Sequence, residues 1–531
     1  MKNTSFISFF VVLLSVVSAC HPQRGQQEAG DLNVNRRVSE NYLPPVFEHD
    51  ARVDKIRELE PAIRELIEDY SESRHIPGVA YGIVVDNQLI LASASGSGNI
   101  ELDRPATIRS SFRIASMTKS FTAMAILKLR DEGKLSLTDP AATYIPEMAG
   151  LEYLTEDSPP ITIANLLTMT AGFPEDNPWG DRQLEEPDQW LLDLITGGLS
   201  FSEPTSYGYE YSNTGYAILG HIISVVAGIP FQDYISENIL VPLHMEHTYW
   251  EVDSVPEEQL VQGYRWEDDQ WKTEPMLHDG SYGAMGGLVT SIEDFSKYVS
   301  FHLSAWPPRS DPDNGPVKRA TLREMQTPQF CRLYAGATGW DDQPCAQMTG
   351  YGFGLRITED CNGMTFAGHG GALPGFGSNY IFFPEYGIGL MAFCNLTYTS
   401  PWPLEEIVNI IFNQADVEKR SLPVSEILLE RQMQVVDLIR DWDGETEHEI
   451  LAENFFMDRS RDHRIAETRE ILERAGSILS VGAMHPENQL RGRFDLTAAH
   501  GKIHVFFTLT PEKDPKVQQL SLSYQPDNST E

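Results

Sequence analysis

The sequence has few basic residues for its length, since 40 lysines and arginines stand against 77 aspartates and glutamates in 531 residues. The formal net charge of −37 repels phosphate backbones and anionic lipid, so nucleic acid is a poor candidate partner. After the first 20 residues no apolar run is long enough for a transmembrane helix. The hydrophobic content of 41% is ordinary for a globular protein, and the length favours two domains.

The N-terminus has the outline of an export signal. Lys2 precedes an apolar run over residues 6–17, and small residues then lead to Cys20. The four residues ending at Cys20 resemble the bacterial lipoprotein processing box, which predicts lipidation of Cys20; plain cleavage after Ala19 is the alternative. We therefore expect residues 1–20 to be a lipoprotein-type signal peptide and residues 21–49 to be a polar tether. The protein would be periplasmic or in the cell envelope, with membrane contact only through the lipid anchor.

Cysteine is scarce, with five in the chain, and no C-x-x-C pair suggests zinc. The four beyond Cys20 are an even number in a chain predicted to be exported, where disulfides persist. They allow three connectivities, and closure of local loops favours Cys331–Cys345 with Cys361–Cys394.

Strand patterns frame a region rich in helix patterns. Residues 79–85 and 88–94 flank Asp86-Asn87, which predicts a β-hairpin. Helix patterns follow, and the polar segment 174–204 has no steady period and is expected to pass over a site. Strand patterns then return, separated by glycine-rich turns, at 351–357, 364–367, 378–383 and 387–395. For residues 50–418 we expect an α+β fold, with one antiparallel sheet flanked by helices and a helical lobe.

The segment 422–531 reads as a small accessory α+β domain. Helix patterns come first, at residues 427–439, 445–457 and 464–475, and strand patterns follow, at 490–498, 502–510 and 517–524. No catalytic constellation is present in it.

Ser116 and Lys119 form the only S-x-x-K in the chain. The apolar stretch 121–129 behind them predicts a buried helix. A lysine three residues after a serine returns to the same helix face, so an amine would lie beside a hydroxyl in a poorly hydrated setting. There burial disfavours the ammonium, and a neutral amine could take the hydroxyl proton. A capping serine with a solvated lysine is the alternative for a bare S-x-x-K.

Two further motifs carry chemistry. Tyr211-Ser-Asn213 is the only Y-x-N among 20 tyrosines; a tyrosine whose pKa is lowered by cations can relay a proton. His369-Gly-Gly371 lies in a glycine-rich stretch, where backbone can approach a ligand and leave amides free for an oxyanion. His278-Asp-Gly280 also has the H-x-G pattern, but it precedes a loop rather than a strand pair. In isolation, a buried tyrosine and a solvated histidine in a turn are the alternatives.

Together, S-x-x-K, Y-x-N and a basic residue followed by x-G resemble the triple signature of class C serine β-lactamases. Their penicillin-binding relatives share it: D,D-carboxypeptidases, D-aminopeptidases and β-lactamase-like esterases. The resemblance covers about residues 50–415. It implies that Ser116 attacks a carbonyl to form an acyl-enzyme and that Lys119 and Tyr211 manage the proton. It also implies that Asn213 holds the substrate, that His369 occupies the substrate-binding motif, and that no metal or cofactor takes part.

The resemblance places an oxyanion hole at the backbone amides of Ser116 and Ala372, with Gly371 giving clearance. One departure matters: the lactamases usually have Lys-Thr-Gly where this chain has His369-Gly-Gly371. Two groups that would bind a β-lactam carboxylate are thereby lost, so efficient β-lactam hydrolysis is doubtful while acyl transfer survives.

The predicted function is that of a serine hydrolase acting on an ester, a D-amino-acid peptide or a β-lactam amide. A non-catalytic cell-envelope binding or sensing protein on the same fold is the alternative. An α/β-hydrolase is excluded because the chain contains no G-x-S-x-G.

Overall fold

The computed structural model describes residues 37–527. The predicted signal peptide, Cys20 and the first part of the predicted tether lie outside them. The α-helices are α1 Arg52–Glu58, α2 Glu60–Ser73, α3 Lys119–Asp131, α4 Ile163–Leu167, α5 Asp188–Gly197, α6 Asn213–Ala227, α7 Phe231–Ile235, α8 Gly283–Gly286, α9 Ile292–Leu303, α10 Arg319–Met325, α11 Leu404–Asn409, α12 Glu426–Arg440, α13 Gly444–Ile450 and α14 Arg461–Ala475.

Nine of the 18 strands in residues 37–527 form one large antiparallel sheet. Its order is β3-β2-β1-β13-β12-β11-β10-β9-β8, so the first and last strands of the domain, β1 and β13, are neighbours. A second sheet is formed by β14 to β18. The strands are β1 Gly78–Val85, β2 Gln88–Asn99, β3 Arg104–Pro105, β4 Phe112–Arg113, β5 Tyr264–Glu267, β6 Gln270–Thr273, β7 Val289–Thr290, β8 Phe330–Tyr334, β9 Gln347–Tyr351, β10 Arg356–Glu359, β11 Thr365–Leu373, β12 Phe376–Phe383, β13 Ile388–Cys394, β14 Ile478–Val481, β15 His485–Asn488, β16 Arg491–Ala498, β17 Gly501–Leu509 and β18 Val517–Pro526.

The large sheet separates two hydrophobic clusters. Along β1, Ala80 and Val84 belong to one cluster and Tyr81 and Ile83 to the other, as the two-residue period of a strand requires. The first cluster joins the sheet to the helical lobe, and the second joins it to α1, α2 and α11. Because β1 is buried along its whole length, both faces of the sheet are covered at its centre.

Helix α3 is the buried axis of the lobe. Every residue from Lys119 to Leu127 is buried, and Leu129 is buried too. Its lysine is therefore held inside the protein by the apolar residues that follow it. The predicted buried helix behind Ser116 is confirmed.

The C-terminal domain has its own core. Its sheet order is β14-β16-β17-β18, with β15 paired to β16, and apolar residues of α12 pack with those of the sheet. The predicted α+β fold, with its antiparallel sheet, helical lobe and C-terminal sheet domain, is confirmed. Ahead of the first domain, Val46 pairs with Ser421 through two backbone hydrogen bonds of 3.0 and 2.8 Å. The last part of the predicted tether thus packs against the segment that joins the two domains.

Several predicted boundaries differ. The pattern at 351–357 is not one strand, because Gly352 and Gly354 turn the chain between β9 and β10. Strand β11 runs on to Leu373, so the glycine-rich motif at 369–371 is strand rather than turn. The edge strand β8 was not predicted. In residues 37–527 no single helix is long and apolar enough to cross a membrane; α6 with the segment Phe231–Leu240 meets that test only as a pair bent by 80°.

The preferred cysteine pairing was wrong. The disulfide joins Cys345 to Cys361, whose Cα atoms lie 5.2 Å apart, and leaves Cys331 and Cys394 as free thiols. Cys394 ends a central strand and is fully buried, whereas Cys331 is exposed on the edge strand β8. Closeness along the chain misled because strand pairing brings the loop before β9 against the turn after β10.

The connectivity predicts how the cysteines react. Iodoacetamide added to the folded protein should modify Cys331 but not Cys394, because only the former is exposed. Peptide mapping without reduction should recover Cys345 and Cys361 in one linked fragment. Recovery of a Cys331–Cys345 fragment, or equal modification of the two thiols before unfolding, would contradict the structure.

Candidate active site

Ser116 lies at the start of the lobe's central helix, in a 3₁₀ turn over Ala115–Thr118 that runs directly into α3. The residue before it, Ala115, has a φ of +50°, a conformation that costs free energy for any residue with a Cβ. Ser116 is 8% exposed and lines a cavity of about 810 Å³. The strained entry therefore delivers one hydroxyl to the wall of a cavity whose size suits a small ligand.

Lys119 has three oxygen partners. Its Nζ lies 3.1 Å from Ser116 Oγ, 2.7 Å from Asn213 Oδ1 and 3.0 Å from the carbonyl oxygen of Met285. The side chain is wholly buried, so water does not compete for the amine. The predicted pairing of hydroxyl and amine is present.

Burial is the largest effect on the pKa of Lys119, which falls from 10.5 to about 7. The positive charge of Arg356 lowers this pKa as well, while Asp181 and Asp176 raise it. At pH 7, therefore, Lys119 is a neutral amine in a substantial fraction of the protein molecules. The neutral form is the one that can accept a proton from Ser116.

Asn213 begins α6 and is completely buried. The side chain of Ser212 caps this helix by accepting from the backbone N–H of Gly215 at 3.1 Å. The Oδ1 of Asn213 accepts from Lys119, and its Nδ2 donates to Asn177 Oδ1 at 2.7 Å. In the structure, Asn213 thus holds the side chain of Lys119, and its contact with a substrate stays a prediction.

The ring of Tyr211 lies close to the basic groups of Lys119 and Arg356. Lys119 Nζ is 4.9 Å and Arg356 Cζ is 5.7 Å from the centre of its ring. Even so, burial raises the pKa of the phenol far above its ordinary value, although the positive charge of Arg356 lowers it. The idea that cations lower the pKa of this tyrosine was wrong in its net direction. Tyr211 is a neutral phenol at pH 7.

His369 lies in β11 and is 4% exposed. Its Nδ1 donates to the carbonyl of Gly370, and its Nε2 lies 3.2 Å from the hydroxyl of Tyr351, which donates to it. Because a carbonyl only accepts, this network fixes the tautomer. Burial, with the charges of Arg356 and Lys119, lowers the pKa of His369 to about 3. The imidazole is therefore neutral and brings no cation to the site.

Gly371 is where strand β11 touches the segment that leads to the nucleophile. A Cβ at this position would lie 2.2 Å from the carbonyl oxygen of Ile114 and 2.3 Å from Ser378 Oγ. Ser378 already donates to that carbonyl at 2.7 Å. The glycine clears space for the protein's own backbone, and this contact sets β11 beside Ser116. Gly371 and Ala372 both line the cavity.

The positive charge of the cavity comes from two residues that the sequence did not single out, Arg332 and Arg356. They come from β8 and β10 and line the same cavity as Ser116. Alternate residues of a strand share a face, so Phe330, Arg332 and Tyr334 of β8 together line a small recess beside the cavity. Strand β8, which carries Arg332, was not predicted, so the sequence did not indicate that its side chains would form a wall of the cavity.

The opposite wall comes from the segment 174–204. Its residues Glu175, Asn177 and Asp181 line the cavity, as does Glu210 shortly before Tyr211. The expectation that this segment passes over the site is confirmed. The cavity is consequently bipolar, with guanidinium groups on the sheet side and carboxylates on the lobe side.

His278 does not line the cavity. Its Nδ1 lies 2.7 Å from Glu251 Oε1. Potential metal ligands of Glu251, Asp253 and His278 lie within 4.8 Å of one another, the one such group found among residues 37–527. It stands apart from Ser116 and takes no part in the arrangement described above.

Gly371→Ala should destabilise the fold and slow the covalent reaction of Ser116 with a fluorophosphonate. The reason is that the new Cβ would overlap the carbonyl oxygen of Ile114. We expect a loss of about 1–3 kcal/mol in the free energy of unfolding, measured in urea. Gly370→Ala is the matched control, since its Cβ would meet nothing nearer than Asn379 Nδ2 at 3.6 Å. Equal effects of the two substitutions would contradict the proposed close approach.

Comparison with known proteins points to the same family that the site residues indicate. The family model described as Beta-lactamase matches residues 63–409. Protein flp of Staphylococcus aureus is 28% identical over 372 residues, which are 69% of this chain and 68% of that protein.

Two solved structures share the fold. The octameric penicillin-binding protein homologue from Pyrococcus abyssi superposes with a TM-score of 0.54 at 22% identity, covering 88% of this chain and 98% of that one. A class C β-lactamase superposes with a TM-score of 0.55 at 18% identity, covering 70% of this chain and all (100%) of that one. The family model spans well over half of the sequence, and the S-x-x-K, Y-x-N and H-G-G residues meet in one cavity, so the chain belongs to the β-lactamase family.

Proposed function

We propose that the protein is a serine hydrolase that cleaves an ester or amide through an acyl-enzyme on Ser116. The observation that carries the proposal is the set of oxygen atoms around Lys119 Nζ. A neutral amine has two N–H groups and one lone pair. The oxygen of Asn213 and the carbonyl of Met285 can only accept, so they take the two N–H groups. The lone pair is left for the hydroxyl of Ser116.

Acylation then follows from this geometry. The Ser116 hydroxyl proton passes to Lys119 as Oγ bonds to the substrate carbonyl carbon, and the carbonyl oxygen becomes the oxyanion. Backbone N–H groups at Ser116 and Ala372 are the proposed donors to it, and one such donor contributes roughly 3 kcal/mol of transition-state stabilisation. The ammonium formed on Lys119 keeps three oxygen partners, so the charge stays hydrogen-bonded inside the protein.

The proton returns when the intermediate collapses. Tyr211, which lines the same cavity as Ser116, can pass its phenolic proton to the leaving group and take one from Lys119. The bond from the carbonyl carbon to the leaving group breaks, and the acyl group stays on Ser116. Water then adds to the acyl carbon by the same path in reverse, and the acid departs as the Ser116 hydroxyl is restored. The high pKa of Tyr211 supports a relay rather than a stable tyrosinate.

The substrate classes remain esters, D-amino-acid peptides and β-lactam amides. His369 is neutral, which supports the loss of the lactamase ammonium at that position. Arg332 and Arg356 nevertheless bring positive charge to the cavity. We therefore expect, within each class, a preference for molecules that carry a carboxylate near the reacting carbonyl.

The cellular location is proposed on separate grounds. The Cys345–Cys361 disulfide is of the kind that persists in oxidising compartments, which supports export. We propose that the chain is held at the cell envelope by a lipid on Cys20.

The direct test is covalent labelling. A fluorophosphonate should add one adduct to the wild-type protein, seen by intact mass and mapped to Ser116, because phosphorus takes Oγ and releases fluoride. Ser116→Ala is the control and should gain no adduct while keeping its thermal unfolding curve. Three substrates are assayed: a short-chain ester, a D-amino-acid peptide and a chromogenic cephalosporin. The untreated enzyme should hydrolyse at least one of them, and the labelled enzyme should hydrolyse none. If the wild-type protein did not react with the fluorophosphonate and turned over none of the three substrates, the proposal would fail and a non-catalytic binding protein would be favoured.

A further inference from the structure

Asp181 is a buried carboxylate beside the reacting groups that the proposed reaction has not yet used. It lies in a 3₁₀ turn, Gly180–Arg182, of the segment that crosses the site, and it is only 3% exposed. It lines the same cavity as Ser116. Its Oδ1 accepts from Asn213 Nδ2 at 3.4 Å. A buried carboxylate is costly unless it has partners, so its position at this amide calls for a physical reason.

The turn is fitted closely to Asn213. A Cβ on Gly180 would lie 2.8 Å from the Cβ of Asn213 and 3.1 Å from its Nδ2. Nearby, Asp176 accepts from the backbone N–H groups of Asn213 at 2.7 Å and of Thr214 at 2.8 Å. Two carboxylates of one segment therefore accept hydrogen bonds from the first turn of α6, where the partial positive charge of a helix is found. These hydrogen bonds position the side chain of Asp181 at the amide of Asn213.

The amide can be oriented in only one way. Its Nδ2 faces two acceptors, Asn177 Oδ1 and Asp181 Oδ1, and its Oδ1 faces Lys119. Turning the amide by 180° would put its oxygen against the Asp181 carboxylate, which can only accept, and would leave an N–H group of Lys119 without its acceptor. The carboxylate thereby keeps an acceptor in front of Lys119.

We infer that Asp181 is a positioning residue of the proposed hydrolase. It holds the Asn213 amide with its oxygen towards Lys119, and its negative charge stabilises the ammonium that forms when Ser116 gives up its proton. The arrangement thus has the same three roles as a catalytic triad. Ser116 is the nucleophile, Lys119 is the base, and Asp181 orients that base through Asn213. This inference rests on the proposed function and names the group that supports its base.

Other charges also face this carboxylate. Lys119 and Arg182 favour its ionised form and Asp176 disfavours it, while Tyr398, from the loop after β13, lines the same cavity. Burial has the largest effect and raises the pKa of Asp181 to about 6. At pH 7 the group is therefore mostly an anion, and in that form it raises the pKa of Lys119.

The test measures the rate constant for fluorophosphonate labelling of Ser116 as a function of pH, which needs no natural substrate. In the wild type the rate should rise with pH through the pKa of Lys119, because the neutral amine is the base. Asp181→Asn keeps the shape of the side chain and an acceptor oxygen but removes the charge. Since the lost anion raised the pKa of Lys119, the rise should move to lower pH. The rate at high pH should fall by roughly tenfold, because the weaker base forms an ammonium without its counter-charge.

Two further variants separate orientation and charge from folding. Asp181→Ala removes the acceptor as well, so its rate should fall further than that of Asp181→Asn. Asp193→Asn changes an exposed aspartate on α5 in the same segment and should match the wild type in rate, pH profile and thermal unfolding. A pH profile of Asp181→Asn that superposes on the wild type would overturn the inference. A slower rate with no shift of the profile would also overturn it, since that marks a merely structural role. An unlabelled wild type would instead remove the proposed function on which it rests.

Discussion

The proposed chemistry depends on one buried amine and the three oxygens around it. Lys119 Nζ is held by Ser116, Asn213 and the carbonyl of Met285, with no exposure to water. Burial lowers its pKa to about 7, and the partners decide which of its faces is free to accept a proton. If the amine were solvated, its pKa would return towards 10.5 and Ser116 would have no base at neutral pH.

The fold supplies that environment from separate parts of the chain. The 3₁₀ turn Ala115–Thr118 contributes Ser116, and α3, which follows it directly, contributes Lys119. Helix α6 contributes Asn213, and α8 contributes the carbonyl of Met285. Strand β11 closes the site from the sheet side, where the absence of a side chain at Gly371 lets it approach Ile114. The segment 174–204 closes it from the lobe side and brings Asp181 to the amide. Sheet and lobe each provide one half of the cavity, and their charges are opposite.

Much of this could be predicted from the sequence because S-x-x-K and Y-x-N are short motifs that each lead directly into a helix, α3 and α6. Ser116 and Lys119 are one helical turn apart, and α3 is apolar enough to be recognised as buried. The neutral state of His369 and the raised pKa of Tyr211 could not be predicted, because both depend on burial and on Arg356, which comes from a different part of the chain. The arginine wall was missed for a related reason: β8 is a short edge strand with exposed residues and a weak pattern. Pairing of Cys345 with Cys361 likewise follows from strand register and not from distance along the chain.

The most direct measurement is the titration of Lys119 itself. In protein with ¹³C at the lysine Cε positions, the resonance that is absent from Lys119→Met identifies this side chain. Its chemical shift should change with pH around a pKa near 7, well below the ordinary lysine value of 10.5. A titration of Lys119 near the ordinary value of 10.5 would contradict the account, because the amine would then be protonated at neutral pH and unable to accept the proton of Ser116.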